Sequence, residues 1–343
     1  MRYYLIIMIA LLLSAVKSLN AQTDSSHADT LRLMFYNVEN LFDPFDDSLT
    51  RDEEFTSNGA RHWTWNKYLD KVNHIYKVIM AAGNPFPPAI IGLCEIENRF
   101  VLNQIVYKSP FSKFDYRIVH EESPDRRGID VALLFDPTRF KLISHEAIPI
   151  RFPSHPNSRT RDILYVKGVF YQSDTVHIFI NHWPSRWGGQ MATDPKRKHV
   201  ADILKSKTDS IFLAEKKPAI IIMGDFNDYP TDESLRIHLK AGNADEDTQL
   251  VNLMLPYAKK FGFGSHKYQQ EWGTLDQIIV SKYLLLPNFH LQLAHKKANI
   301  FDAPFLLVPD EKFSGIKPYR TFVGFKYVGG YSDHLPVFID IYK

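Results

Sequence analysis

A chain of 343 residues, 45% hydrophobic and 23% charged, has the composition of a globular protein, which excludes a disordered chain and a multi-span membrane protein. Its 41 basic and 39 acidic side chains leave a formal net charge of +2, so no strong overall field draws it onto nucleic acid, and any grip on a polyphosphate has to rest on local groups. One cysteine, Cys94, excludes an intrachain disulfide, and its place in an apolar run reads as a small buried thiol rather than a reactive one.

At the start of the chain Arg2 precedes an apolar stretch over residues 5–16, followed by Lys17, Ser18 and Leu19-Asn20-Ala21. A basic start, an apolar centre of that length and a small residue at the end form the anatomy of a secretory signal peptide, with cleavage expected after Ala21 and export to the periplasm or beyond the cell. The alternative, an uncleaved anchor, has to contend with a run shorter than the ~20 residues that a spanning helix needs. Residues 22–30 are polar and unpatterned and read as a tail, and residues 31–343 as one domain.

Leu31, Leu33 and Phe35 alternate with Arg32, Met34 and Tyr36, a strand that delivers Asn37 at its exit. Leu69, Val72, Ile75, Tyr76 and Ile79 recur at helical spacing over 66–80, and Gly83 with Pro85 stops that helix. The continuous apolar run 89–94 is a buried strand ending in Glu95. Further strands are expected over 131–135, 163–171 and 176–181, a second helix over 196–213, and strands over 219–223, 277–280 and 337–341. Two halves of helix plus buried strand, each ending in a polar cluster, predict an α/β protein with two central sheets and helices outside.

The polar clusters sit where strands end. Four buried apolar residues run into Gly224-Asp225-Phe226-Asn227, where a carboxylate and a carboxamide two residues apart converge on one point; read structurally, the same residues make a turn after a strand. Ser332-Asp333-His334-Leu335-Pro336 precedes the last strand, and its Asp-His pair can ligate a metal and contact a phosphate side by side. Asp276 opens the strand before it, and a carboxylate there can orient an imidazole and stabilise its charged form. Asn181-His182-Trp183-Pro184 places His182 at another exit, suited to protonating a leaving alkoxide. Glu95 emerges from a buried strand, where only a cation or donors offset the cost of the charge.

In this order, Asn37 within Phe35-Tyr36-Asn37-Val38-Glu39-Asn40, then Glu95, Asn181-His182, Gly224-Asp225-Phe226-Asn227, Leu275-Asp276 and Ser332-Asp333-His334, the chain resembles the deoxyribonuclease-like endonuclease/exonuclease/phosphatase superfamily from about residue 31 to 341. The resemblance implies a four-layer α/β sandwich, two mostly antiparallel sheets flanked by helices, and hydrolysis of a phosphoester by metal-assisted attack of water. It implies Mg²⁺, or Mn²⁺, held by Glu95 with Asn37 and Asp333. Asp225 activates the water, Asn227 binds phosphate, His334 on Asp276 stabilises the transition state and His182 protonates the leaving oxygen. By position Asp130 orients His182, and Arg161, or its neighbour Arg159, contacts phosphate. The expected substrate is nucleic acid outside the cytoplasm. Lipid headgroups or small phosphoesters, as in sphingomyelinase-like members, are the second reading, and a catalytically inactive binding module on the same fold is the third. The residues 196–199, Lys-Arg-Lys-His, are the candidate basic stripe for a nucleic acid. No obligate protein partner is implied, and a monomer is expected.

Overall fold

A computed structural model describes residues 30–83, 85–170, 174–258, 263–287 and 289–342. The expected signal peptide and all but the last residue of the expected tail lie outside these, and Thr30 already begins the first strand. None of the described helices is long and apolar enough to cross a membrane.

Fourteen strands build two seven-stranded sheets. The first contains β1 (Thr30–Leu41), β2 (Ile90–Ile96), β3 (Arg117–His120) and β4 (Asp130–Phe135). The second contains β5 (Phe140–Ile148), β6 (Ile163–Phe170), β7 (Asp174–His182), β8 (Ala219–Asp225), β9 (Ala241–Gly242), β10 (Leu250–Asn252) and β11 (Asp276–Ser281). The short β12 (Gln292–Leu293) and β13 (Asn299–Ile300) return to the first sheet beside the last strand, β14 (Val337–Tyr342). Strand order is β12-β14-β1-β2-β4-β3, with β13 also on β14, and β5-β6-β7-β8-β11-β10-β9. Only β1–β2, β7–β8 and β9–β10 pair parallel, so both large sheets are mostly antiparallel, as expected.

The apolar runs that read as buried strands are buried on both faces, and the pleat sorts their side chains into two cores. In β8, Ala219, Ile221 and Met223 join the core between the sheets, whereas Ile220 and Ile222 face outward into a second core with Val200, Ala201 and Leu204 of the long helix Gln190–Ala214. On the far side Tyr68, Val72, Ile75 and Ile79 of the helix Trp65–Gly83 cover the first sheet. Between the sheets Gly92 of β2 leaves room for its neighbours: a Cβ there would meet Ile180 Cδ1 at 2.8 Å and Phe35 at 3.2 Å.

The observed helix Gln190–Ala214 begins six residues before the expected one and runs through Pro195. Pro195 lies in its first two turns, where the missing N–H removes one intrahelical bond and the rest of the helix supplies the continuity. The strands β3 and β5 were not expected: β3 has four residues, and β5 is an edge strand whose residues 143–146 face solvent, so neither carries a buried hydrophobic pattern.

Candidate active site

Strand direction brings the polar clusters to one end of the paired sheets. Parallel β1 and β2 exit together, at Asn37 and Glu95, and parallel β7 and β8 exit together, at His182 and Asp225. Antiparallel β11 enters where β8 leaves, with Asp276 opposite Asp225, and β14 begins opposite Phe35, which sets Asp333 and His334 beside Asn37. Gly224 is required for this closeness, since a Cβ there would lie 2.3 Å from the carbonyl oxygen of Asn181.

The strand ends are bent rather than straight. Register shifts interrupt β1 after Asn37 and β2 between Cys94 and Ile96. Glu39, Asn40, Glu95 and Asn227 all hold positive φ, between 51° and 62°, a conformation that costs a non-glycine residue about 1 kcal/mol or more. Hydrogen bonds lock these bends: Asn40 N–H donates to Glu95 Oε2 at 2.7 Å, Glu39 N–H to Asn37 Oδ1 at 3.0 Å, and Asn227 N–H to Asp225 Oδ1 at 2.9 Å.

Asp225 lies at the centre. Asn37 Nδ2 donates to its Oδ2 at 3.1 Å, and the same oxygen is 3.8 Å from His182 Nε2 and 3.9 Å from His334 Nε2. Burial, together with Asp276 and against the pull of His334, raises its carboxyl to about 6. His334 pairs through Nδ1 with Asp276 Oδ2 at 2.7 Å. Burial alone would lower His334, but Asp276, Asp225 and Asp333 outweigh it and hold the ring well above the usual histidine range, as an imidazolium. His182 has the opposite character: burial, then Arg161, Arg127 and His334, hold it far below that range, so it is neutral, and its Nδ1 has no hydrogen-bond partner. Two histidines on one carboxylate are thus held in different protonation states.

Two expected residues stand elsewhere. Asp130 is not on His182: its Oδ2 faces His120 Nε2 at 3.1 Å and its Oδ1 accepts Ser123 N–H at 2.7 Å. The reason is β3, which lies beside β4 and brings His120 within reach. Arg161, expected on phosphate, is buried and has every nitrogen occupied, donating to the carbonyl oxygens of His182 and Trp183 and to Asp125 Oδ2. Carbonyls at a strand exit need donors, and Arg161 supplies them, fixing the His182 backbone. The candidate stripe 196–199 is dispersed: Arg197 is buried against Asp228, Lys198 pairs with Asp194 and Glu233, and His199 turns to the carbonyl of Arg151.

Other residues enter the site without a local sequence signal. Arg320 bridges Asp333 Oδ2 at 2.9 Å and Glu39 Oε1 at 3.2 Å. Lys71, fully buried on the helix Trp65–Gly83, donates to Thr321 Oγ1 at 2.6 Å and to the carbonyl of Tyr331, and burial lowers it to about 8. Ser332 Oγ donates to the Asn37 carbonyl at 2.7 Å and accepts His334 N–H. The segment 299–318 leads directly into these anchors. Contacts spanning 281 residues leave no mark on either segment alone.

The donor set suits a hard divalent cation. Asp225, Asp276 and His334 carry potential ligand atoms within 4.8 Å of one another, as do His266, Asp333 and His334. The carboxylates of Asp225, Asp276 and Asp333 supply hard oxygen donors to these groups. Among the described residues the only basic group within 4 Å of the Glu95 carboxylate is neutral His182, at 3.9 Å, and Asp276 Oδ1 is buried without a partner. Negative charge left uncompensated in this way is what a cation offsets.

The model of the endonuclease/exonuclease/phosphatase family matches residues 32–343. The chain belongs to that family. Members of this family are hydrolases acting on phosphoesters and are generally dependent on divalent metals. Among solved structures, D. rerio TDP2 complexed with single-strand DNA product is similar at 15% identity and a TM-score of 0.55, covering 92% of this chain and 99% of that one. The human Nocturnin catalytic domain with bound sulfate anion aligns at 19% identity and a TM-score of 0.54, covering 92% and 96%. A family protein from Bacteroides thetaiotaomicron aligns at 14% and 0.53, covering 91% and 97%. At these identities the likeness establishes the fold, the sandwich of two sheets expected from the sequence. No curated protein matches this chain in sequence.

Proposed function

We propose that this family member is a Mg²⁺-dependent phosphodiesterase that cleaves nucleic acid outside the cytoplasm by attack of water on phosphorus. The observation that carries the reading is the convergence of His182 and His334 on Asp225 Oδ2, at 3.8 and 3.9 Å, with His334 held by Asp276 at 2.7 Å, beside oxygen donors that suit a cation. Glu95, Asn37 and Asp333 would hold the ion, Mn²⁺ being an acceptable substitute. When bound, it would offset charge on the phosphoryl oxygens. Asp225 takes a proton from the attacking water, a task its raised carboxyl suits near neutral pH. His334 holds its positive charge against the phosphorane oxygens, and Asp276 keeps it charged and oriented. Asn227, whose Nδ2 donates to the Trp183 carbonyl at 3.1 Å, is placed to turn toward a phosphate oxygen. As the P–O bond to the leaving group breaks, neutral His182, its Nε2 3.8 Å from Asp225 Oδ2, would pass the proton taken by Asp225 to the leaving oxygen, and Arg161 acts behind it as a positioning residue. The anatomy of residues 1–21 supports export.

A second reading, hydrolysis of lipid headgroups, draws on Trp187 and Met191, which are 90% and 91% exposed on the stretch after His182. Trp183 is buried and Phe301 and Phe305 pack on each other, so the exposed apolar surface there is small. The deciding experiment assays plasmid DNA, RNA, sphingomyelin vesicles and bis-p-nitrophenyl phosphate with Mg²⁺, Mn²⁺ or EDTA. Cleavage of DNA or RNA that EDTA and His334→Ala abolish is expected. Turnover that survives either would refute the mechanism, and turnover of sphingomyelin alone would refute the nucleic-acid reading.

A further inference from the structure

Most arginines of this protein are neutralised. Among the described residues only Arg51, Arg99, Arg126 and Arg159 have no carboxylate within 4 Å, whereas eleven others, from Arg32 to Arg320, have one. Three of the four unpaired arginines adjoin. Arg51 N–H donates to the Arg126 carbonyl at 2.9 Å, and the turn after Arg126 lies so close to the Thr50 side chain that a Cβ on Gly128 would meet Thr50 Cγ2 at 2.6 Å. Arg126 Nη2 donates to the Asn157 carbonyl at 2.8 Å, and Arg159 Nη1 to the Pro156 carbonyl at 2.8 Å. Lys196 joins them through Ser158 Oγ at 3.1 Å, again without a carboxylate. Arg126 and Arg159, with residues 155–158, line a concavity of about 420 Å³. The carboxylates nearby are already engaged: Asp125 by Arg161, Asp47 and Asp52 by backbone N–H groups.

The cluster adjoins the catalytic end. Arg126 follows Asp125, which holds Arg161, and Arg161 holds the backbone of His182 and Trp183. The guanidiniums of Arg126 and Arg159 are each tethered by one bond to a carbonyl, and the exposed Arg51 side chain stands beside them on a tethered backbone, so the cluster presents several positive charges rather than one. A single phosphate needs one such group, and several suit a chain with a charge at every residue.

We infer that Arg51, Arg126 and Arg159, with Lys196, form a subsite for the flanking phosphates of a nucleic-acid strand, on the His182 side of the site. This rests on the phosphodiesterase reading above and supplies the local basic groups that the near-neutral net charge demands. Of residues 196–199, whose side chains diverge around one helix, only Lys196 reaches this cluster, whereas the three arginines are scattered in sequence and gather in space.

The test compares the full chain with Arg126→Gln/Arg159→Gln and with Arg99→Gln, the unpaired arginine elsewhere. Substrates are a 12-nucleotide single-stranded DNA and bis-p-nitrophenyl phosphate. In the double variant KM for the oligonucleotide should rise about tenfold, and the slope of log KM against log salt should fall by about 0.7 for each phosphate contact removed. Turnover of the small diester should stay within about twofold, and Arg99→Gln should match the parent. An unchanged oligonucleotide KM and salt slope would overturn the inference, as would equal losses on both substrates. If the parent hydrolyses neither substrate, the catalytic reading fails separately, and fluorescence anisotropy of the labelled oligonucleotide decides the subsite. Binding that the double variant loses supports it, and no binding by the parent overturns it. Binding of phosphatidylserine vesicles but not of the oligonucleotide, lost in the double variant, would assign the cluster to a membrane and also overturn it.

Discussion

His334 and Asp130 are both members of buried His-Asp pairs, and the two pairs differ in what they face. The His334–Asp276 pair points at Asp225, whereas His120–Asp130 sits between β3 and β4, away from it. Because the folded protein raises His334, the stability its imidazolium contributes is complete below about pH 6.5 and is lost as pH rises through the raised value. Asp276→Asn should therefore lower the His334 titration, followed by NMR of its ring protons, and reduce metal-dependent turnover by about 10²-fold or more. Asp130→Asn should cost about 1–3 kcal/mol in urea unfolding while leaving the pH profile of turnover in place. A shift of that profile in Asp130→Asn would contradict its assignment to His120. At this scale the sequence located Asp276 and His334 through compact motifs. It misplaced Asp130 because β3, the strand carrying its true partner, is too short to show a pattern.

The buried strands explain how these residues are aimed. An apolar run bounded by turn residues identifies β2, β8 and β11 by composition, and each carries a carboxylate at the site end: Glu95 one residue before the end of β2, Asp225 at the end of β8 and Asp276 at the start of β11. The close approach of the sheets depends on small residues at the crossing. Gly92→Val should drive a side chain into Ile180 and Phe35, costing about 1–3 kcal/mol by thermal or urea unfolding. It should also reduce turnover, because β2 carries Glu95 at its exit. Unchanged stability would mean that the sheets separate more easily than their shared core implies. Edge elements were harder to read: residues 143–146 of β5 are exposed, and the start of the helix Gln190–Ala214 is masked by Pro195 and by an exposed first turn.

Over the whole molecule, the carboxylates that gather at one end create a charge imbalance that a cation would relieve. Mg²⁺ or Mn²⁺ should therefore stabilise the folded protein, by about 2.7 kcal/mol at a hundredfold excess over Kd, seen as a rise in Tm, and Glu95→Gln should lose most of that rise. An equal rise in the variant would remove Glu95 from the ligand set. Order along the chain was enough for the sequence to determine the family, the two-sheet architecture and most of the strand ends that form the site, since apolar periodicity and short polar motifs are local properties. Only the tertiary structure decided that Asp130 serves His120, that Arg161 braces a backbone, that Arg320, Glu39 and Lys71 join the site, and that three unpaired arginines gather beside it. Each of those is a contact between segments far apart in sequence, fixed by strand pairing and packing rather than by any residue's neighbours.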